Sequence, residues 1–574
     1  MTHATRSIQT FCSLLAQGAL LMSTIPKSAG TRPTSISDGA AAQNSVADIL
    51  HYISSGWDTL TRSMNRCESL EDTKTGGEAV LYVPAEVATP PAISELQNHC
   101  RVRVEHLPAR ITGPGGMNSS GIRDEGLLYL ENPYVVPGGQ FNEMYGWDSY
   151  FIIRGLLREH RTEMAKGMVE NFFFEIDHYG GVLNANRTYY LTRSQPPFLS
   201  SMILAVYDSE AAEGKSNLPW LANAYRFALR DYEQWNQAPH LAGDTGLSRY
   251  FDHGEGPVPE IMGDPSHYYR SAAYFLLAHE GSFNSYLVHN SDSSSAGKIM
   301  GPRFPVFVCD PEIADVGASH CAPASWVGLS GDFYKGDRSM RESGFDVTFR
   351  FGPFGAATHH FAPVCLNSLL YKTEKDLERM STLLGHPQDA ENWRTKAAER
   401  QKRMIQYFWD AKRGLFFDYN FMARKQSKYE YAATFYPLWA GLASKEQARA
   451  VARNLNLFEQ PGGLAMSRTE SQAQWDFPYG WAPIQLLAAE GLRRYGYGRE
   501  ADRISEQFLS MVLENFRRDH TIREKYNVVT RSSETRVVEG YAQNVTGFGW
   551  TNAVFLELLH ESPGVRALLE QDQK

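Results

Sequence analysis

Two segments of this chain place an acid, two or more aromatic rings and a flexible turn directly before an apolar run. Residues 137–150 read Pro-Gly-Gly-Gln-Phe-Asn-Glu-Met-Tyr-Gly-Trp-Asp-Ser-Tyr and lead into Phe151–Leu157. Residues 474–483 read Gln-Trp-Asp-Phe-Pro-Tyr-Gly-Trp-Ala-Pro and lead into Ile484–Leu492. A Trp-Asp pair at a loop-to-helix junction has two readings. Asp148 and Asp476 can each cap the helix that follows, or they can belong to a pocket. Loops that combine carboxylates, Trp, Arg, Asn and Gln suit polyhydroxylated ligands: ring faces cover C–H surfaces, while amides, guanidinium groups and carboxylates fix the hydroxyls.

Other chemistries lack their residues. The Gly113–Gly116 run is not followed by the lysine and helix start of a phosphate loop, so it reads as an ordinary loop. There is no G-x-S-x-G elbow and no H-E-x-x-H pair. His359-His360 is read as a structural pair. The six cysteines include no C-x-x-C, so no structural metal is expected; Cys309 and Cys321 can pair in an oxidising compartment or remain free thiols. No metal or other cofactor is called for.

The elements that must position these loops are mainly helical. Leu221, Tyr225, Ala228, Leu229 and Tyr232 recur at helical spacing, as do Trp393, Ala397, Met404 and Phe408, and then Ile504, Phe508, Val512 and Phe516. Each stripe requires a partner helix. Amphipathic helices separated by long motif-bearing loops fit a toroid of paired helices with a pocket at one rim, and equally a helical solenoid. Short extended pieces at Ala79–Val83 and Gly414–Tyr419 are expected at the periphery. With 43% hydrophobic and 21% charged residues, the chain can bury a large core. A net charge of −9 argues against a nucleic-acid partner. No segment approaches a membrane span. Residues 1–45 read as a signal peptide or a disordered extension, giving a periplasmic or secreted location, with the cytoplasm as alternative. One domain is expected over 46–565, followed by a tail at 566–574.

The two opening segments resemble the signature motifs of the trehalase family, inverting glycoside hydrolases built on an all-α (α/α)6 toroid. The resemblance continues through Asn184–Pro197, Gly246–Tyr250, Glu342–Asp346, Leu366–Leu370, Glu524–Tyr526 and Gly547–Asn552. It covers roughly residues 46 to 560, with loop details closest to fungal neutral trehalases. It implies cleavage of α,α-trehalose by two carboxyl groups, one protonated to release the leaving oxygen and one ionised to activate water from the other face. By motif position Asp346 is the general acid and Glu524 the general base, flanked by Arg523 and Lys525. A water between them requires a carboxyl separation of about 6.5–9.5 Å. The implied sugar-binding set is Phe141, Trp147, Asp148, Asn184, Arg193, Gln195, Arg249, Glu260, Arg350, Trp475, Trp481 and Glu539, with a small disaccharide as the partner molecule.

Several positions depart from the family pattern. Gln140 stands where these enzymes carry arginine, and Cys365 where an aspartate is frequent. The stretch before Glu260 lacks an arginine found in the bacterial type. The Gly-rich lid is reduced to Ser532–Val545, which predicts a more open site. Glu539 sits in a Glu-Gly-Tyr spacing rather than Glu-Tyr. No D-x-D-x-D-G calcium loop is present. Two alternatives follow: an inverting α-glucosidase acting on another small glucoside such as glucosylglycerate, and a sugar-binding protein without catalysis.

Overall fold

The computed structural model describes residues 45–71, 78–117, 121–260, 265–279, 281–289, 299–309 and 321–571. The expected signal peptide or extension therefore lies outside the described residues, except for Ser45. That serine caps the first helix: its side chain accepts from the Asp48 N–H, and Asp48 accepts from the Ser45 N–H in return.

Six helices form a closed ring. They are α2 (Asp148–Arg158), α4 (Leu199–Ala212), α8 (Val364–Leu383), the single turn α10 (Tyr436–Trp439), α12 (Ala482–Arg494) and α14 (Gly549–Glu561). Each packs on the next, and α14 packs back on α2. Outside them run α1 (Val46–Leu60), α3 (Thr162–His178), α5 (Leu218–Trp235), α9 (Pro387–Phe408), α11 (Lys445–Arg453) and α13 (Gly498–Asp519). This is the helical toroid expected above, and the solenoid alternative falls because the ring closes.

Burial separates the two layers. On α13 the buried residues include Ile504, Phe508, Val512 and Phe516, and on α9 they include Trp393, Ala397, Met404 and Phe408. These two outer helices each bury one stripe and leave charged residues in water. Inner helices are covered on every side: α14 is buried without interruption from Gly549 to Leu559. A glycine in α2 allows the closest approach, since a Cβ on Gly155 would lie 2.8 Å from the Ala553 Cβ of α14.

Loops at the rim carry the remaining structure. Between α5 and α8 come α6 (Pro265–Ala278), α7 (Gly331–Glu342) and a three-stranded antiparallel sheet of Leu287–His289, Ile299–Cys309 and Cys321–Ser330, which was not anticipated. Ala79–Val83 is a strand, as expected, and pairs in parallel with Val102–His106. In the Gly414–Tyr419 stretch, Leu415–Phe416 pairs with Trp409–Asp410 as a two-residue strand.

The C-terminal segment carries a helix over Pro563–Gln571, with Val565 and Leu569 buried. A disulfide joins Cys67 to Cys100, 33 residues apart, a pairing the sequence did not suggest. The backbone register does place Cys309 opposite Cys321, and Cys365 is a buried free thiol. No helix among the described residues is long and apolar enough to cross a membrane.

Candidate active site

The first signature feeds the start of α2, with Trp147 in the cap position and Asp148 as the first helical residue. The Trp147 N–H donates to Gln195 Oε1 at 2.9 Å, which ties this loop to the 184–197 segment. There Asn184 Oδ1 accepts from Arg193 Nε at 2.9 Å, while Arg193 Nη2 donates to Glu260 Oε1 at 2.5 Å.

Asp346 follows α7 through a turn at Gly344, whose φ of +75° and tight fit suit glycine. A Cβ there would lie 2.9 Å from the Trp147 indole. The second signature buttresses the same turn. Asp476 caps no helix; it accepts from Thr348 Oγ1 and the Phe349 N–H, each at 2.8 Å, and from Ser471 Oγ. Strand Tyr479–Trp481 pairs antiparallel with Lys525–Asn527, with Trp481 opposite Lys525, so Glu524 stands at the end of that ladder. Trp475 and Trp481 stack at 3.8 Å with planes 5° apart, and Trp550 meets both edge-on.

These elements enclose a cavity of about 480 Å³, within the range of small-molecule sites. Asp346 and Glu524 both line it, together with Phe141, Trp147, Asp148, Asn184, Arg193, Gln195, Glu260, Trp475 and Trp481 from the expected set, and Gln140. Three expected residues are absent from the wall. Arg249 donates to the carbonyls of Pro239 and His359 at 2.9 and 2.8 Å and rests on Phe251, so it staples loops. Arg350 is fully buried in a two-point pair with Asp418 at 2.7 and 2.6 Å. Glu539 meets the 472–474 backbone through its own main chain, behind the wall formed by Gly540 to Gln543. His359 and His360 both point Nε2 at Asp332, away from the cavity.

The wall also contains residues that the sequence reading passed over: Tyr145, Tyr189, Tyr190, Arg341, Gln474, Tyr541, Gln543, Phe548 and Trp550. Tyr145, Tyr189, Tyr190, Gln474, Phe548 and Trp550 lay inside motifs already quoted, and Arg341 adjoins one. The strap 532–545, short as it is, reaches the site: Tyr541 lines the cavity, and its hydroxyl accepts from Arg341 Nη1 at 3.2 Å.

A family model described as Trehalase matches residues 24–275 and 328–563. The chain belongs to the trehalase family. The unmatched interval, 276–327, contains most of the rim sheet. The chain is 34% identical over 592 residues to a cytosolic neutral trehalase of Saccharomyces cerevisiae, covering 93% of this chain and 74% of that protein. It is 37% identical over 513 residues to a cytosolic neutral trehalase of Neurospora crassa, covering 79% and 64%. The solved structure of neutral trehalase Nth1 from Saccharomyces cerevisiae superimposes with a TM-score of 0.72 at 33% identity, covering 92% of this chain and 96% of that one.

The carboxyl groups of this trehalase-family site are not electrostatically alike. Burial pushes Asp346 up to about 6, with Arg341 and Arg193 pulling the other way. Burial holds Asp148 well above the usual carboxylate range, and the negative charges of Glu524 and Asp346 add to it. Burial alone pushes Glu539 up to about 7. Glu524 is served differently: Lys525 Nζ lies 3.1 Å from its Oε2, whereas Arg523 turns away to the Asn544 carbonyl at 3.1 Å. Asp346 thus retains its proton into the mildly acidic range, as a proton donor must.

Proposed function

We propose that this protein hydrolyses α,α-trehalose to two molecules of glucose with inversion, Asp346 acting as general acid and Glu524 as general base. The observation that carries the reading is the shared cavity, in which both carboxyl groups open onto one chamber walled by stacked indoles and hydrogen-bonding side chains. Asp346 gives its proton to the glycosidic oxygen as the C–O bond breaks. Glu524 takes a proton from the water that attacks the anomeric carbon from the opposite face. Asp148, Asn184, Arg193, Gln195 and Glu260 hold hydroxyls, and Phe141, Trp147, Trp475 and Trp481 cover the ring faces. Family membership and the trehalase relatives support the substrate.

The charge balance of the wall favours a neutral substrate over glucosylglycerate. Its two arginines are already engaged, Arg193 by Glu260 and Asp252, and Arg341 by Asp337 and Asp346. Position 140 contributes a neutral amide. A carboxylated aglycone would find no uncommitted cation among the described wall residues. The test is glucose release from matched concentrations of α,α-trehalose and glucosylglycerate. A kcat/KM at least about tenfold higher for trehalose is expected; a preference for the charged glucoside would reverse the assignment.

The relatives named above are cytosolic enzymes, and nothing in them supports the periplasmic or secreted location. The cytoplasmic alternative is the one carried forward. The Cys67–Cys100 bridge weighs against it, because cytoplasmic pairs are kept as thiols: rapid alkylation in freshly lysed cells that labels both cysteines would favour the cytoplasm, and recovery of the intact disulfide would oppose it.

A further inference from the structure

The backbone of Asp346 and the carboxyl group of Glu524 are joined through the protein by Gln474 and Lys525. Gln474 is 1% exposed and uses every polar group it has. Its Nε2 donates to the backbone carbonyl of Asp346, and its Oε1 accepts from Lys525 Nζ at 3.2 Å and from the Tyr541 N–H at 3.1 Å. Its own N–H donates to the Glu539 carbonyl at 3.1 Å, and its carbonyl accepts from Trp481 Nε1 at 2.8 Å. Two donors on one side and a carbonyl on the other fix which way the amide faces.

Lys525 completes the link. Its side chain has no exposure, and Nζ contacts Glu524 Oε2 at 3.1 Å, the Tyr541 carbonyl at 3.1 Å and the Gln543 carbonyl at 3.2 Å, besides Gln474. A fully buried ammonium needs a compensating charge. Among its hydrogen-bond partners only Glu524 can supply one, so the ammonium and that carboxyl group are placed together. The path from Asp346 through Gln474 and Lys525 to Glu524 contains only hydrogen-bonded contacts, and the strap hangs from its middle.

We propose that Gln474 and Lys525 are positioning residues that set the placement of the acid relative to the base. The proposal rests on the assignment of Asp346 and Glu524 made above. Neither residue takes part in the proton transfers; each acts through a catalytic carboxyl. Other charged groups of the cavity wall are Asp148, Arg193, Glu260 and Arg341, and Lys525 is the cation in contact with Glu524.

The experiment compares wild type, Lys525→Met, Lys525→Arg and Gln474→Glu in kcat and KM on α,α-trehalose, with folding checked by helical circular dichroism. Lys525→Met should lose about 100-fold in kcat with KM changed less than about threefold. Lys525→Arg should regain about tenfold. Gln474→Glu keeps an acceptor for Lys525 but cannot donate to Asp346, and should lose about tenfold in kcat. A folded Lys525→Met protein with wild-type kcat, or a loss confined to KM, overturns the proposal. Should Lys525→Met fail to fold, unchanged kcat in Gln474→Glu overturns it alone. A wild type that leaves trehalose intact but cleaves another neutral α-glucoside removes the substrate reading instead, and the same comparison then runs on that glucoside.

Discussion

Arg341 Nη1 lies 3.7 Å from Asp346 Oδ2, so the carboxyl group assigned as proton donor sits beside a buried guanidinium and is still pushed up by its burial. The opposing influences leave Asp346 at about 6, which fixes the first prediction. A general acid must be protonated, so kcat/KM should fall as pH rises through about 6. Arg341→Gln removes the nearest downward influence, and the alkaline limb should then move to higher pH. An unmoved limb would show that another group controls it.

The same raised value makes a stability prediction with a definite sign. A carboxyl group that holds its proton more tightly folded than unfolded favours the folded state at low pH, and that contribution disappears as pH rises from the unfolded value near 4 through about 6. Above that range the buried charge is a cost that Asp346→Asn removes. The variant should therefore melt higher than wild type at pH 7.5, by about 1–3 kcal/mol of stability, and match it at pH 4. Paired thermal melts at the two pH values check this; a variant less stable at pH 7.5 would contradict it.

Arg350 separates structural from binding arginines. Its pair with Asp418 is buried under Tyr431, Phe351 and Phe345. Arg350→Ala leaves that carboxylate uncompensated and should cost about 3–5 kcal/mol. Denaturant midpoints should fall steeply, while the KM of the surviving folded fraction stays near wild type. A raised KM with unchanged stability would return Arg350 to the binding set.

How far the sequence reached can be seen in particular residues. The outer helices were legible because each buries one stripe: Ile504, Phe508, Val512 and Phe516 of α13 face inward while their neighbours meet water. Inner helices such as α14 are covered all round, which erases the periodicity, so ring closure came from resemblance rather than pattern. Most of the cavity wall came from the motifs. Arg249 and Arg350 did not fit because residue type cannot distinguish a guanidinium that serves carbonyls or a buried aspartate from one that faces a ligand. Arg341 and Tyr541 were missed for the complementary reason, since their contact joins elements 200 residues apart. The Cys67–Cys100 bridge depends on how the 79–106 sheet brings the segments together, which spacing alone does not encode.

Gln140 marks the main departure from the family pattern, and it lines the catalytic cavity. Gln140→Arg adds a permanent cation with five donors in place of a neutral amide. The KM for trehalose should fall about tenfold if position 140 reaches the sugar, in line with one charge-assisted hydrogen bond. Steady-state kinetics of the single variant decide the matter; an unchanged KM would place the amide outside the sugar's reach.

The central claim, inversion by Asp346 and Glu524, is tested most directly by proton NMR of the anomers in the first minutes of trehalose hydrolysis, for wild type and the Asp346→Ala and Glu524→Ala variants. The expected result is α- and β-glucose in equal initial amounts, one from the retained leaving group and one from the inverted centre, with no glucose from either folded variant. α-Glucose alone at early times, or undiminished hydrolysis by either variant, would contradict it.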